Sequence, residues 1–127
     1  MKTSLDPRHI RRKKIVESLF SQSFLEQKSP ASTSEAGRAK IKKVHEILAN
    51  LSEIDKNIYE IAPEFPIDKI NRIDLAILRL AVFELLIEKK EPPKVIVDEA
   101  VEIAKEFGGD SSPAFINGAL GNLLKKG

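Results

Sequence analysis

A chain of 127 residues, 42% hydrophobic and 31% charged, is long enough for one small globular domain but not for two independent cores. It has no cysteine, which excludes disulfides and thiolate zinc sites, and its longest apolar run, LAILRLAVFELLI at 75–87, is broken by Arg79 and Glu84, short of the roughly 18 residues that span a bilayer. The net charge of +2 hides an asymmetry: residues 1–14 carry six Lys/Arg against one acid, and the remainder fifteen against eighteen Asp/Glu. A basic arm on a mildly acidic body points to an anionic partner met at one end. With no apolar leader at its start, the expectation is a cytoplasmic domain.

Every long periodic segment is helical. The first helix is expected over about 7–25, with Ile15, Val16, Leu19 and Ser23 on one side and Asp6–Pro7 as cap and first position. KSPASTSEAG then supplies a linker rich in Ser, Ala and Pro. A second helix follows from 34 or 35 to 50, with Ile41, Val44, Leu48 and Leu51 at helical spacing, and a third from 52 to about 62, with Ile54, Ile58 and Ile61. Pro63 and Pro66 end it. The fourth, about 71–88, is apolar on nearly every side and belongs at the centre of a bundle. Pro92 and Pro93 open the fifth, which Gly108 and Gly109 stop, and Ser112–Pro113 start the sixth. The fold class is all-α: one domain over 1–127, with helical halves at about 1–62 and 66–127.

The first helix contains a conflict. In DPRHIRRKKIVESLF, Arg8, Arg11, Arg12, Lys13 and Lys14 crowd the positive end of the helix dipole, where each exposed cation is unfavourable by roughly 0.3–1 kcal/mol. At about 100° per residue, Arg8 and Arg12 share the azimuth of Ile15 and Leu19, whereas Lys13 and Lys14 lie roughly opposite. Cations on the core's line imply turns that run past the core or stand at its rim, open to an arriving anion. A bland solubilising start is the competing reading. A membrane helix would want Trp or Phe beside its charges, so nucleic acid ranks above lipid. Binding of this kind predicts a log–log salt slope of about −0.7 per phosphate for single-stranded RNA, or roughly −2 to −3.5 for three to five contacts. Replacing Arg8 and Arg12 by Ala should shrink that slope by about one and leave the fold intact.

The second unusual stretch is FGGDSSPAFINGALGNLL at 107–124. Gly118 and Gly121 inside a helix each cost roughly 1 kcal/mol relative to Ala, and close approach by another helix is the reason to expect them. Phe115 is either a core residue or an exposed ring on which an unpaired base stacks; Asn117 is either a buried strut or a polar contact.

With those blocks in view, RIDLAILRLAVFELL, PPKVIVDEAVEIAKEFG and SSPAFINGALGNL, with a basic opening running into IVESLFSQ, together resemble the NusB family of bacterial transcription antitermination factors. The resemblance is close over about 70–125 and good over 8–24. It implies an all-helical fold of two small three-helix bundles, no catalytic activity, no metal and no cofactor. It further implies binding of a boxA-type single-stranded RNA together with NusE, a small-subunit ribosomal protein. That pair acts within the RNA polymerase antitermination complex, notably in ribosomal RNA operons. Carried over by position, Arg8, Arg11, Arg12 and Lys13 match the RNA-contacting basic segment. Phe115 matches an aromatic near the RNA, with Asn117 as a further polar contact there. Ser111 stands at a loop position often acidic in relatives, a change expected to favour RNA slightly. Phe20 and Asp74 match the side that meets NusE; Asp74 also suits the dipole end of the fourth helix. The region about 26–36 replaces an additional short helix expected of the family, and self-association is left open.

Two other readings stand beside it. One is a helical protein-interaction module with a generic basic contact arm; the other is an RNA-targeting domain like that of certain ribosomal RNA cytosine methyltransferases, against which the lack of a catalytic domain in 127 residues argues. An enzyme is not expected. His9 lies among the arginines and His45 in a helix, read as a surface or edge residue and not a base, and there is no HExxH, P-loop or dinucleotide turn. Carboxylates such as Glu102 and Glu106 beside Lys105 read as solvated charge.

Overall fold

The structure, a computed structural model, describes residues 6–24 and 35–126. Of the expected linker at 28–37 and the replaced short helix at about 26–36, the part up to residue 34 lies outside the described residues, and the part from Glu35 belongs to α2. Within them the elements are helices: α1 (Pro7–Phe24), α2 (Glu35–Ala49), α3 (Leu51–Ile61), a 3₁₀ turn (Ile67–Lys69), α4 (Arg72–Phe83), a π-helical turn (Glu84–Glu88), α5 (Pro93–Phe107) and α6 (Ser112–Lys126).

Local chemistry sets most of these bounds. Asp6 Oδ1 accepts from the Arg8 amide at 2.9 Å, so Asp6 caps α1 with Pro7 in the first position. Asn71 Oδ1 accepts from the amides of Ile73 (2.9 Å) and Asp74 (3.4 Å) and caps α4. Pro93 opens α5 where a missing amide costs nothing. At its other end Gly108 is required by a close approach: a Cβ there would lie 2.5 Å from Ser112 Oγ and 2.9 Å from the Ala104 carbonyl.

Tertiary packing follows the apolar stripes. Ile54, Ile58 and Ile61 of α3, at i, i+4 and i+7, are at most 2% exposed, each burial being worth about 1.5–3 kcal/mol. Helix α4 is buried along almost its whole length and touches every other helix, as expected of a central element. One continuous core draws Ile15, Val16 and Leu19 of α1 together with residues from α2 to α6. The halves at 1–62 and 66–127 therefore share that core, with α1 lying along α4.

The fourth helical segment reaches Glu88 as expected, but with a change of type: α4 ends at Phe83 and widens into a π turn, where the Lys89 amide donates to the Glu84 carbonyl at 2.9 Å and Lys89 takes a left-handed conformation (φ 54°). One expectation fails. Gly118 and Gly121 do not admit a neighbouring helix: a Cβ at either would meet nothing within 4 Å. They face outward because α6 turns Ile116, Ala119, Leu120 and Leu123 into the core.

Candidate nucleic-acid interface

The cations of α1 divide into two sets. Arg12 is 5% exposed and points inward. Its Nε and Nη2 donate to the two oxygens of Glu84 (2.9 and 2.8 Å), Nη2 also reaches Glu91 (2.8 Å), and Nη1 stands 3.6 Å from Glu99. Burial opposes its charge, but the hydrogen bond to Glu84 and the charges of Glu84, Glu91 and Glu99 more than offset that and raise its pKa further. Beside it His9 is 3% exposed, with Nδ1 2.8 Å from Glu99 and Nε2 2.5 Å from Glu106. Ionised carboxylates only accept, so this arrangement is satisfied by the imidazolium, which donates from both nitrogens. Burial pulls His9 toward neutrality; the hydrogen bonds to Glu106 and Glu99, with their charges, outweigh it and hold its pKa above the ordinary value.

This corrects the sequence reading of Arg12, which does not stand at the rim; His9, placed by the sequence among the arginines, is buried beside it. The core-facing arc of α1 is centred between Leu19, Arg12 and Val16, so continuing the apolar stripe means entering the interior, where the π turn and α5 supply the counter-charges. Lys13 is also engaged: its Nζ donates to Glu106 at 2.9 Å and only 21% of its side chain is exposed. The outward set is Arg8, Arg11 and Lys14. Arg8 has a 3.7 Å contact with Glu91 and remains 64% exposed; Arg11 and Lys14 have no ion-pair partner among the described residues.

The second cluster lies where α6 begins. Phe115 is half-buried and meets the exposed ring of Phe65 edge to face, with centroids 5.5 Å apart and planes at 83°. The alternatives posed for it merge: it packs on the core and keeps part of its ring accessible. Asn117 is exposed, so it is no buried strut, and Ser111 is exposed in the preceding loop. The α1 cations pair with Glu84 of the π turn, Glu91 after it and Glu99 and Glu106 of α5, while Phe115 pairs with Phe65, so the two groups of expected RNA contacts have separate partners.

Glu106 also belongs to an open cleft, lined by Glu17, Phe20, Ser21, Asn71, Ile73, Glu106 and Phe107. Phe20 therefore sits in a concavity. Asp74, in the first turn of α4 close by, is 7% exposed and its Oδ1 has no hydrogen-bond partner. Burial pushes its pKa up, and a hydrogen bond from Ser112 offsets this only in part. A buried carboxyl oxygen without a donor is costly in isolation.

Residues 5–125 match the NusB family. The chain belongs to that family. It is 43% identical over 82 residues to the transcription antitermination protein NusB of Clostridium novyi, covering 65% of this chain and 62% of that one, and 47% identical over 77 residues to that of Chloroflexus aggregans, covering 59% and 51%. The chain thus spans about half to three-fifths of the length of the curated relatives it matches. The solved structure of T. maritima NusB superposes with a TM-score of 0.84 at 32% identity, over 99% of this chain and 94% of that one. A structure described as the antitermination factors NusB and NusE in complex with dsRNA aligns with a TM-score of 0.79 at 20% identity, over 96% and 100%, a likeness of fold.

Within this NusB-family chain, sequence reasoning missed His9, Glu84, Glu99 and Glu106 as one network. A signal existed: Glu84 sits inside the apolar run of 75–87, where a carboxylate needs an internal cation.

Proposed function

We propose that this protein is a non-enzymatic transcription antitermination factor that binds boxA-type single-stranded RNA together with NusE and joins the RNA polymerase antitermination complex in the cytoplasm. The observation that carries the reading is the two-sidedness of α1. One edge presents Arg8, Arg11 and Lys14 outward, and another presents Phe20 in a cleft lined also by Asn71 and Ile73, which precede Asp74 and its buried oxygen in sequence. The first edge suits phosphate; the second suits an apolar protein surface that brings a hydrogen-bond donor to Asp74. Family membership and the shared fold of the NusB–NusE–RNA assembly support both halves. Phe115, Asn117 and Ser111 contribute base contacts in this reading, and Arg12 acts by holding α1 in place. Three outward cations predict a salt slope of about −2, the low end of the range expected from the sequence.

The test is anisotropy with labelled boxA-type and scrambled RNAs of equal length, at three salt concentrations, with and without NusE. The expected result is tighter binding of boxA that strengthens with NusE. Weak and equal binding of both RNAs, unaffected by NusE, would leave a generic basic contact arm.

A further inference from the structure

The cleft and the basic turn are joined by one side chain. Glu106 Oε1 accepts from Lys13 Nζ at 2.9 Å, Oε2 faces His9 Nε2 at 2.5 Å, and the same carboxylate lines the cleft with Phe20 and Phe107. Across Phe20 stands Glu17, exposed and without an ion-pair partner among the described residues. Two carboxylates on an otherwise largely apolar cleft form a receptor for a cationic side chain with an apolar neighbour.

We propose that Glu106 is a shared carboxylate that couples the two surfaces: a cationic side chain of the partner, seated between Glu17 and Glu106, takes over Glu106 and releases Lys13 to meet RNA phosphate. The proposal rests on the RNA-and-NusE reading above and adds the residue through which one ligand affects the other.

Three features make Glu106 the removable member of the network. It is 36% exposed, whereas Glu99 and Glu84 are almost fully buried. Its loss leaves His9 bonded to Glu99 at 2.8 Å and Arg12 bonded to Glu84, so the start of α1 stays pinned. Lys13 has no other ion-pair partner among the described residues and is followed by the outward Lys14. The exchange trades one internal ion pair for one intermolecular pair and frees one cation, so coupling is positive and reciprocal: RNA that captures Lys13 leaves Glu106 available to the partner.

His9 reports the exchange. The groups that act on it are Glu99 and Glu106 from α5 and Asp6 at the start of its own helix; Arg12 and Lys13 share those α5 acids, and Glu84 and Glu91 act on Arg12. Withdrawing Glu106 removes one of its two acceptors, so its titration midpoint falls. His45, exposed on α2, is an internal control.

The experiment is a pH titration of the imidazole signals of the full chain, free and saturated with NusE, without RNA. A second arm measures RNA binding by the parent and by Glu106→Gln over a range of salt. The expected results are a lowered His9 midpoint with NusE and an unchanged His45. In the variant without NusE the salt slope is steeper by about 0.7, one added phosphate contact, and the factor by which NusE tightens RNA binding is several-fold smaller. Bound NusE with an unmoved His9, or a variant with the parent's slope, overturns the proposal while leaving the RNA-and-NusE reading in place. Failure of NusE to bind the parent overturns the partner reading and this proposal with it. A merely structural role for Glu106 would lower RNA affinity with and without NusE alike.

Discussion

Arg12 of α1 and Glu84 of the π turn form a two-pronged ion pair at 2.8 and 2.9 Å, both side chains nearly excluded from water and 72 residues apart in sequence. That pair decides which cations of the basic turn hold the fold and which are free to bind.

Arg12→Ala leaves the buried Glu84 without its two-pronged partner, with Lys43 at 3.9 Å as its remaining ion-pair contact among the described residues. Removing one member of a buried pair costs about 3–5 kcal/mol, so urea unfolding of Arg12→Ala should show a loss of that order. Arg11→Ala removes an exposed, unpaired side chain and should stay within about 0.5 kcal/mol of the parent. Equal, small losses in both would place Arg12 at the surface.

Because Arg12 is committed internally, the salt-slope experiment belongs to its neighbours. Arg8→Ala with Arg11→Ala should flatten the slope for RNA binding by about 1.4, two phosphates at roughly 0.7 each, with the melting temperature unchanged. An unchanged slope would remove these residues from the RNA surface.

Stability should depend on pH through His9 and Glu106. The folded pKa of His9 lies above its ordinary 6.5, so its contribution is complete below about 6.5 and is lost as pH rises through the raised value. Hydrogen bonds to His9 and Lys13 hold Glu106 below its ordinary 4.5, so its contribution is complete above about 4.5 and is lost as pH falls through the lowered value. Their sum is a plateau between about 4.5 and 6.5 with a decline on the alkaline side. Asp74, its pKa raised by burial, acts in the same direction as His9. Urea midpoints of the parent and His9→Gln across pH 5–9 separate the two: the variant should lose most of the alkaline decline, and an identical decline would assign it to other groups.

The glycines give opposite expectations. Gly108→Ala drives a methyl to 2.6 Å from Ser112 Cβ and should cost about 1–3 kcal/mol. Gly118→Ala adds a methyl into open space within a helix and should stabilise by about 0.5–1 kcal/mol. Thermal melts of the two variants, displaced in opposite directions, check this.

What could be read in the sequence was what local chemistry writes. The stripe of Ile54, Ile58 and Ile61, the all-round apolarity of α4 and the proline that opens α5 fall as their residue types dictate. The position of Arg12 on the core's azimuth was legible too, but its meaning depends on Glu84 and Glu99, brought to it by the tertiary fold. A helical wheel shows where a side chain points and not what waits there. The outward face of Gly118 and Gly121 was illegible for a similar reason: Ile116, Ala119, Leu120 and Leu123 choose the buried side of α6, and the glycines take the side that is left. Phe20 could be matched to a partner surface, but the cleft around it needs Asn71 and Phe107 from two other helices.

The His9 contacts span 90 and 97 residues. Synthesis delivers α1 long before α5, so during translation His9 and Lys13 wait while their acids, Glu99 and Glu106, are still unmade. Closing so long a loop is slow, and these two contacts form only when residues 99 and 106 have emerged. An early segment thus completes its contacts only after a much later one, and a ribosome stalled before α5 would hold a nascent chain in which Arg12 can meet Glu84 and Glu91 while His9 and Lys13 have no acid to hold them.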